Sequence, residues 1–290
     1  MLVYPRELQA VAQPWIQLGG DIDGEATGDY SSTSVSLSGD GTVLAVGANG
    51  NDGNGSDSGH VRVYNYLNNA WTQLGNDIDG EASDDYSGWS VSLSSDGSVL
   101  AVGAPYNGGN GYNSGHIWVY KYLNNEWTKL GNDIDGEAAG DYSGWSVSLS
   151  SDGTVLAVGA HQNDGNGNNS GHVRVYKYLN SAWTKLGPDI DGEVAFDKSG
   201  WSVSLSNDGT VIAVGAPYNR GNGSYSGHVW VFSHQVSGYE HLAHELHPHI
   251  HVCHSNLNGA PLSSHTTLCI SHSPGTDFTQ SRKSIYCPNH

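Results

Sequence analysis

The sequence is short of basic side chains. Eleven Lys and Arg stand against 29 Asp and Glu, giving a formal net charge of -18 over 290 residues. Charged residues make up only 14%, where a typical soluble chain has about 25%. The acidity therefore comes from missing cations rather than from a dense field of carboxylates. With no basic footprint to neutralise phosphates, a general nucleic-acid binder is excluded. No run of about 20 apolar residues occurs, so no helical membrane span is expected. Met appears once and Phe three times, whereas Trp appears nine times, Tyr sixteen and Gly 40 times. Gly suits tight turns, and Trp and Tyr suit pleated sheets, which speaks against a helical bundle or coiled coil.

Cysteine is absent from the first 232 residues. Cys253, Cys269 and Cys287 all lie beyond, together with ten of the fifteen His. Residues 233–290 carry a net charge of only -1, so -17 sits in residues 1–232. These shifts place a boundary near 232. Residues 1–14 form an N-terminal extension without the long apolar stretch of a signal peptide. The tail, 233–290, holds His241, His244, His247, His249, His251, Cys253 and His254. That composition matches a transition-metal cluster but fits neither zincin nor zinc-finger spacing, so the tail reads as an irregular extension, with metal binding as the alternative.

Between these segments the chain repeats. Trp15, Trp71, Trp127 and Trp183 recur every 56 residues, as do His60, His116, His172 and His228. Trp89, Trp145 and Trp201 keep the same step, with Thr33 at the matching place of the first copy. A period of this length suits propeller blades of four strands. In the third copy Trp145–Ser150 alternates apolar with Ser, and the Asp152-Gly153 pair signals a hairpin, both of its residues tolerating positive φ. Val155–Ala160 is continuously apolar, as a strand covered on both faces should be. His172–Tyr178 alternates again, and Trp183–Leu186 follows a short turn. These are strands A to D. Four A-B-C triplets are present, Ser34–Tyr66, Trp89–Tyr122, Trp145–Tyr178 and Trp201–Phe232, but only three D strands follow them. A fourth, Trp15–Ile22, precedes the first. The fold expected over 15–232 is an all-β propeller of four four-stranded antiparallel blades. Pairing of Trp15–Ile22 with His228–Phe232 would close the ring; an open fragment of a larger propeller is the alternative.

These residues resemble the FG-GAP repeats of integrin α-subunit propellers and related bacterial and algal proteins. Gly88–Val91, Gly144–Val147 and Gly200–Val203 sit where that family has Phe-Gly-x-Ser-Val. Val102-Gly103-Ala104-Pro105 and Val214-Gly215-Ala216-Pro217 match its Gly-Ala-Pro element, and Ser58–Tyr64 and Ser170–Tyr176 its Gly-x-Val-x-Val-Tyr strand. The resemblance implies a mostly extracellular or cell-surface protein that binds partners through one face of the ring. The family's calcium loop lies between strands A and B. Here that hairpin is short, so Asp40, Asp96, Asp152 and Asp208 read as turn residues and calcium is not carried onto them.

The acidic D-to-A linker is the more suggestive motif. Asp21/Asp23/Glu25/Asp29, Asp77/Asp79/Glu81/Asp85, Asp133/Asp135/Glu137/Asp141 and Asp189/Asp191/Glu193/Asp197 keep one spacing in all four copies. Oxygen donors at relative positions 1, 3, 5 and 9 resemble the start of a calcium loop, although the closing Glu at 12 is missing. Calcium is thus the cofactor expected if these sites are metallated; acidic solvated turns are the alternative. The B-to-C loops vary most between copies and contribute Asn51, Asp52, Asp57, Tyr106, Asn107, Tyr112, Asn163, Asp164, Tyr218, Asn219, Arg220 and Tyr225. A meander puts these loops and the acidic linkers on one face, the expected site for a protein or glycan ligand. Asn54, Asn168 and Asn222 head glycosylation sequons. The repeated His and Trp residues read as structural, the Trp as inter-blade packing. No catalytic constellation stands out. The reading is a non-enzymatic binding module, with a structural repeat module or a propeller-borne glycoside hydrolase or lyase as alternatives.

Overall fold

The computed structural model describes residues 15–234. The extension 1–14 and the His/Cys cluster of the tail lie outside them. The described residues contain strands and turns and no helix. Contacts divide the chain between Ser233 and His234.

Four antiparallel sheets follow one another with the period of the repeat. The first holds β1 (Ser31–Leu37), β2 (Val43–Ala48), β3 (His60–Leu67), β4 (Ala70–Gln73) and β5 (Ile78–Asp79). The second holds β6 (Ser90–Leu93), β7 (Val99–Ala104), β8 (His116–Leu123), β9 (Glu126–Lys129) and β10 (Ile134–Asp135). The third holds β11 (Ser146–Leu149), β12 (Val155–Ala160), β13 (His172–Leu179), β14 (Ala182–Lys185) and β15 (Ile190–Asp191). The fourth has, among the described residues, only β16 (Ser202–Leu205), β17 (Val211–Ala216) and β18 (His228–Ser233). We call them blades I to IV.

Each blade is a meander, and its outer edge is split. In blade I, β3 pairs with β4 at one end (Tyr64 opposite Gln73) and with β5 at the other (His60 opposite Asp79). The acidic linker therefore begins as a sheet edge rather than as a free loop. The A-B hairpin turns on one glycine: Gly41, Gly97, Gly153 and Gly209 have φ between 68° and 73°, while the preceding Asp does not enter positive φ. This corrects the expectation of positive φ at both residues. The Asp serves the turn through its carboxylate, as Asp152 Oδ1 accepts from Ser150 Oγ and from the Thr154 backbone N–H and hydroxyl. Burial raises the Asp152 pKa, but these hydrogen bonds outweigh it and hold the carboxyl below its ordinary range.

The central strand of each blade carries no polar side chain, and in blades II and III it is buried throughout. The core lies in the seams between blades. Val61, Val63 and Ile78 of blade I pack with Val91, Leu93 and Leu100 of blade II, and Ile117 and Val119 of blade II with Leu156 and Val158 of blade III. Leu100 and Leu156 are 0% exposed, and each stabilises by about 1.5–3 kcal/mol through burial. Strands β1, β6, β11 and β16 stand side by side along the array. The seams share a hydrogen-bond code. Ser34 Oγ donates to the Gly88 carbonyl, Ser90 to Gly144 and Ser146 to Gly200. In return, the N–H groups of Leu93, Leu149 and Leu205 donate to Ser36, Ser92 and Ser148.

Closure by the N-terminal strand is not what the structure shows. Residues 15–22 form no strand, Trp15 is fully exposed, and among the described strands β18 pairs with β17 alone. Two substitutions account for this. Trp71, Trp127 and Trp183 stack on Tyr66, Tyr122 and Tyr178 at about 5 Å; the residue that would receive Trp15 in blade IV is His234. At the other end, Gly88 has φ 82° and a Cβ there would come within 2.5 Å of the His60 carbonyl oxygen of the preceding blade. Blade I has Ser32 at that place, with φ 71°, so its free face does not take a preceding blade in the seam geometry. Val35, Leu37, Val229 and Val231 stay exposed at the two ends.

Candidate functional site

The B-C loops and D-A linkers lie together on one face and are bonded to each other. Asn54, Asn110 and Asn166 donate their amide N–H groups to the carbonyls of Gly80, Gly136 and Gly192 in the linkers. Gly59, Gly115 and Gly171 bridge Ser87, Ser143 and Ser199. The A-B hairpins lie at the opposite ends of the strands, joined by bonds such as Gly39 N–H to the Ser95 carbonyl.

The four carboxylates of each linker do different work. The last one is buried: Asp29, Asp85, Asp141 and Asp197 are 1–5% exposed. Each accepts a backbone N–H three residues earlier in its linker and the side-chain amide of an Asn in the B-C loop. The Asn partners are Asn51, Asn107, Asn163 and Asn219, at 2.9–3.2 Å. Those four Asn, read from sequence as ligand-face residues, are therefore buried clamps, and their Oδ1 atoms accept the N–H two residues on. Burial pushes the Asp85 and Asp141 carboxyls up, while the Asn amide and the backbone N–H pull the other way. Replacing Asn107 by Ala leaves a buried carboxylate with one donor fewer. We expect a loss of about 2 kcal/mol in urea unfolding, with Asn110→Ala, at a partly exposed bond, losing less.

The first and third carboxylates meet arginine. Arg62 holds Asp77 by two hydrogen bonds of 2.9 and 2.8 Å and pairs with Glu25 of the preceding linker. Arg174 likewise holds Asp189 and pairs with Glu137, and Lys185 adds 2.6 Å to Asp189. The Arg62 hydrogen bonds hold the Asp77 carboxyl below its usual range. For Asp189, burial raises the value, but Arg174 and Lys185 bring it down to about 2. Among the described residues, the donor groups that approach each other are Glu25/His60/Asp77, His116/Asp133/Asp135 and Glu137/His172/Asp189, with donor atoms within 4.8 Å. Each joins a carboxylate to a repeated His on strand C. Asp21 bonds Gln17, Asp23 lines a shallow pocket beside Glu25 and Arg62, and Glu193, Asp79 and Asp191 stay exposed.

Inside this acidic rim runs an aromatic band. Trp89 packs on Trp145 at 4.6 Å and Trp145 on Trp201 at 5.1 Å, across two seams. Tyr106 touches Tyr86, Trp89 and Tyr142. His161, fully buried, lies 4.2 Å from Trp145 and 4.9 Å from Trp201. Tyr218 continues the band from Trp201 to Tyr225, with Lys198 over Trp201 and Tyr218 and Arg220 over Tyr225. Tyr112 (81%), Tyr225 (60%) and Tyr218 (37%) present their rings to solvent. Asp52 and Asp164 cap their own loops at the N–H of Asp57 and Asn169. The Trp repeats do pack between blades, as expected. Their continuity with exposed Tyr was not read from sequence, because the Tyr positions and His161 are not repeated in every copy. Blade I contributes Thr33, Asn49 and Gly50 where blades II and IV carry Trp, Pro and Tyr, so the band begins at blade II.

The chain belongs to the FG-GAP repeat family, whose model matches residues 22–64, 77–120, 134–176 and 189–232. No curated protein sequence matches it. Solved structures with a similar fold include the hydrazine synthase of Kuenenia stuttgartiensis (15% identity, TM-score 0.46, covering 76% of this chain and 49% of that one). A second is the periplasmic gluconolactonase of Pseudomonas aeruginosa (16% identity, TM-score 0.43, 71% of this chain and 55% of that one). The chain thus spans about half the length of the solved structures it matches.

Proposed function

We propose that this chain is a non-enzymatic recognition module that binds a protein or glycan partner through the loop face, with the aromatic band as its contact surface. The observation that carries this reading is the run of rings from Tyr86 to Tyr225, ending in exposed Tyr218 and Tyr225, with Tyr112 exposed on the same B-C loop as Tyr106, beside Asn- and Asp-rich loops. Aromatic rings supply large contact area at small entropic cost, and their faces suit sugar C–H surfaces while amides and carboxylates take hydroxyls. That combination favours a glycan over a flat protein epitope. Against catalysis, the two carboxyls that burial raises, Asp85 and Asp141, are spent on turn hydrogen bonds with Asn107 and Asn163. Against a calcium loop in each linker, the four carboxylates do not converge, and Arg62 and Arg174 already compensate two of the groups.

The test is an array of glycans and extracellular proteins probed with the full chain. Tyr112→Ala and Tyr225→Ala remove exposed rings and leave the fold intact, and each is expected to weaken a hit at least tenfold. Hits unaffected by both variants would place the contact elsewhere. A second reading, a repeat module without its own ligand, draws on the exposed outer face of blade IV, where Val229 and Val231 are 65% and 67% exposed. It is favoured if the array is silent.

A further inference from the structure

Blade II breaks the pattern of its neighbours at one point. In blades I and III the strand-C arginine, Arg62 or Arg174, sits two residues after the repeated His and bridges a Glu of the preceding linker to the first Asp of its own. In blade II that place is Trp118. The nearest cation, Lys129, lies 3.2 Å from the centre of the Trp118 ring and pairs with Glu81 at 3.0 Å. It replaces the arginine toward the preceding linker only. Asp133, the counterpart of Asp77 and Asp189, receives no Lys or Arg side chain among the described residues. It stands with Asp135 and His116 in a group whose donor atoms lie within 4.8 Å of one another.

The histidine supplies a second, independent observation. The His116 side chain is 4% exposed, and its Nδ1 lies 3.1 Å from Asp135 Oδ1. Its Nε2 is buried without a hydrogen-bond partner. Buried polar atoms are rarely left unpaired, and a bound ion or water is one way to satisfy such an atom. One imidazole and two carboxylates are the donor set of zinc-type sites, with a further position open to water. Asp133 and Asp135 are exposed, which gives an ion its path, and two carboxylates balance a double positive charge.

We propose that His116, Asp133 and Asp135 bind one divalent transition-metal ion of the zinc class, in blade II only. The matching groups of blades I and III are closed to it by Arg62 and Arg174. The ion would pin the linker 133–135 to strand β8, as the arginines pin the other linkers to β3 and β13. This site does not depend on the partner-binding reading above.

The experiment counts zinc bound per full chain by native mass spectrometry after equilibration with Zn2+, and compares variants, since the His- and Cys-rich tail adds a constant background. Asp133→Asn, at an exposed position, and Trp118→Arg, which installs the side chain of blades I and III, are each expected to lose one equivalent. His172→Ala, beside Arg174, is expected to lose none. Thermal melts without metal confirm that the variants fold. An unchanged count in Asp133→Asn and Trp118→Arg, or an equal loss in His172→Ala, overturns the proposal.

Discussion

Alanine in place of Gly103 is expected to cost about 3 kcal/mol, the upper end of overpacking penalties, whereas the same change at Gly215 costs under about 1 kcal/mol. Both glycines occupy the same place in a Val-Gly-Ala strand. A Cβ on Gly103 would lie 2.2 Å from the Gly144 carbonyl oxygen of the next blade, a backbone atom that also accepts the Ser90 hydroxyl. Relief requires blades II and III to separate, which opens the core of Val99, Ile117, Leu149 and Leu156. On Gly215 the added carbon meets only Ser202, chiefly its flexible side chain, with no following blade among the described residues. Denaturant midpoints at constant m-value measure both. Equal losses at the two positions would mean that the glycine serves the strand rather than the seam.

The second large effect is acid sensitivity centred on His161. Burial, with a smaller contribution from the Lys198 charge, lowers its pKa from 6.5 to about 3. The folded state therefore keeps this imidazole neutral while the unfolded chain protonates it. Stability is fully present above pH 6.5 and is lost as pH falls toward 3, at about 1.4 kcal/mol per pH unit. His60 and His172, lowered by burial and by Arg62 and Arg174, act in the same direction. Below pH 3.8 the depressed Asp77, Asp152 and Asp189 add to the loss, whereas Asp85 and Asp141, raised by burial, oppose it at higher pH, as they take up protons in the folded state before pH falls to 3.8. His161→Asn, which copies Asn49 of blade I, is expected to recover about 2–3 kcal/mol of the stability otherwise lost between pH 6.5 and 4.5. Parallel pH profiles of the two proteins would contradict this. His161 touches Tyr142, Trp145 and Trp201, so its protonation also loosens the ring band from within.

The blades were legible because strand and turn chemistry repeat in register. Alternating Ser and Val or Leu, the apolar Val-Leu-Ala-Val-Gly-Ala run and the Asp-Gly hairpin each locate a strand within a residue or two. Other features were written less directly. The clamp between Asp85 and Asn107 had a signal, since Asp and Asn recur together 22 residues apart in every copy. It was missed because carboxylates at 1, 3, 5 and 9 also match a calcium loop. Closure was misjudged because counting strands ignores what a seam requires: a Gly where Ser32 stands and a Tyr where His234 stands. The band and the blade II site depend on residues that depart from the repeat, His161, Tyr225 and Trp118, and periodicity suppresses departures.

The central claim is that partners meet the loop face of blades II to IV. Amide hydrogen exchange of the full chain, with and without an array hit bound, tests it directly. Protection is expected at 106–114, 162–170 and 218–226, with the hairpins at Ser38–Thr42 and Ser94–Ser98 unchanged. Protection confined to those hairpins, or to the strand β18, would contradict it.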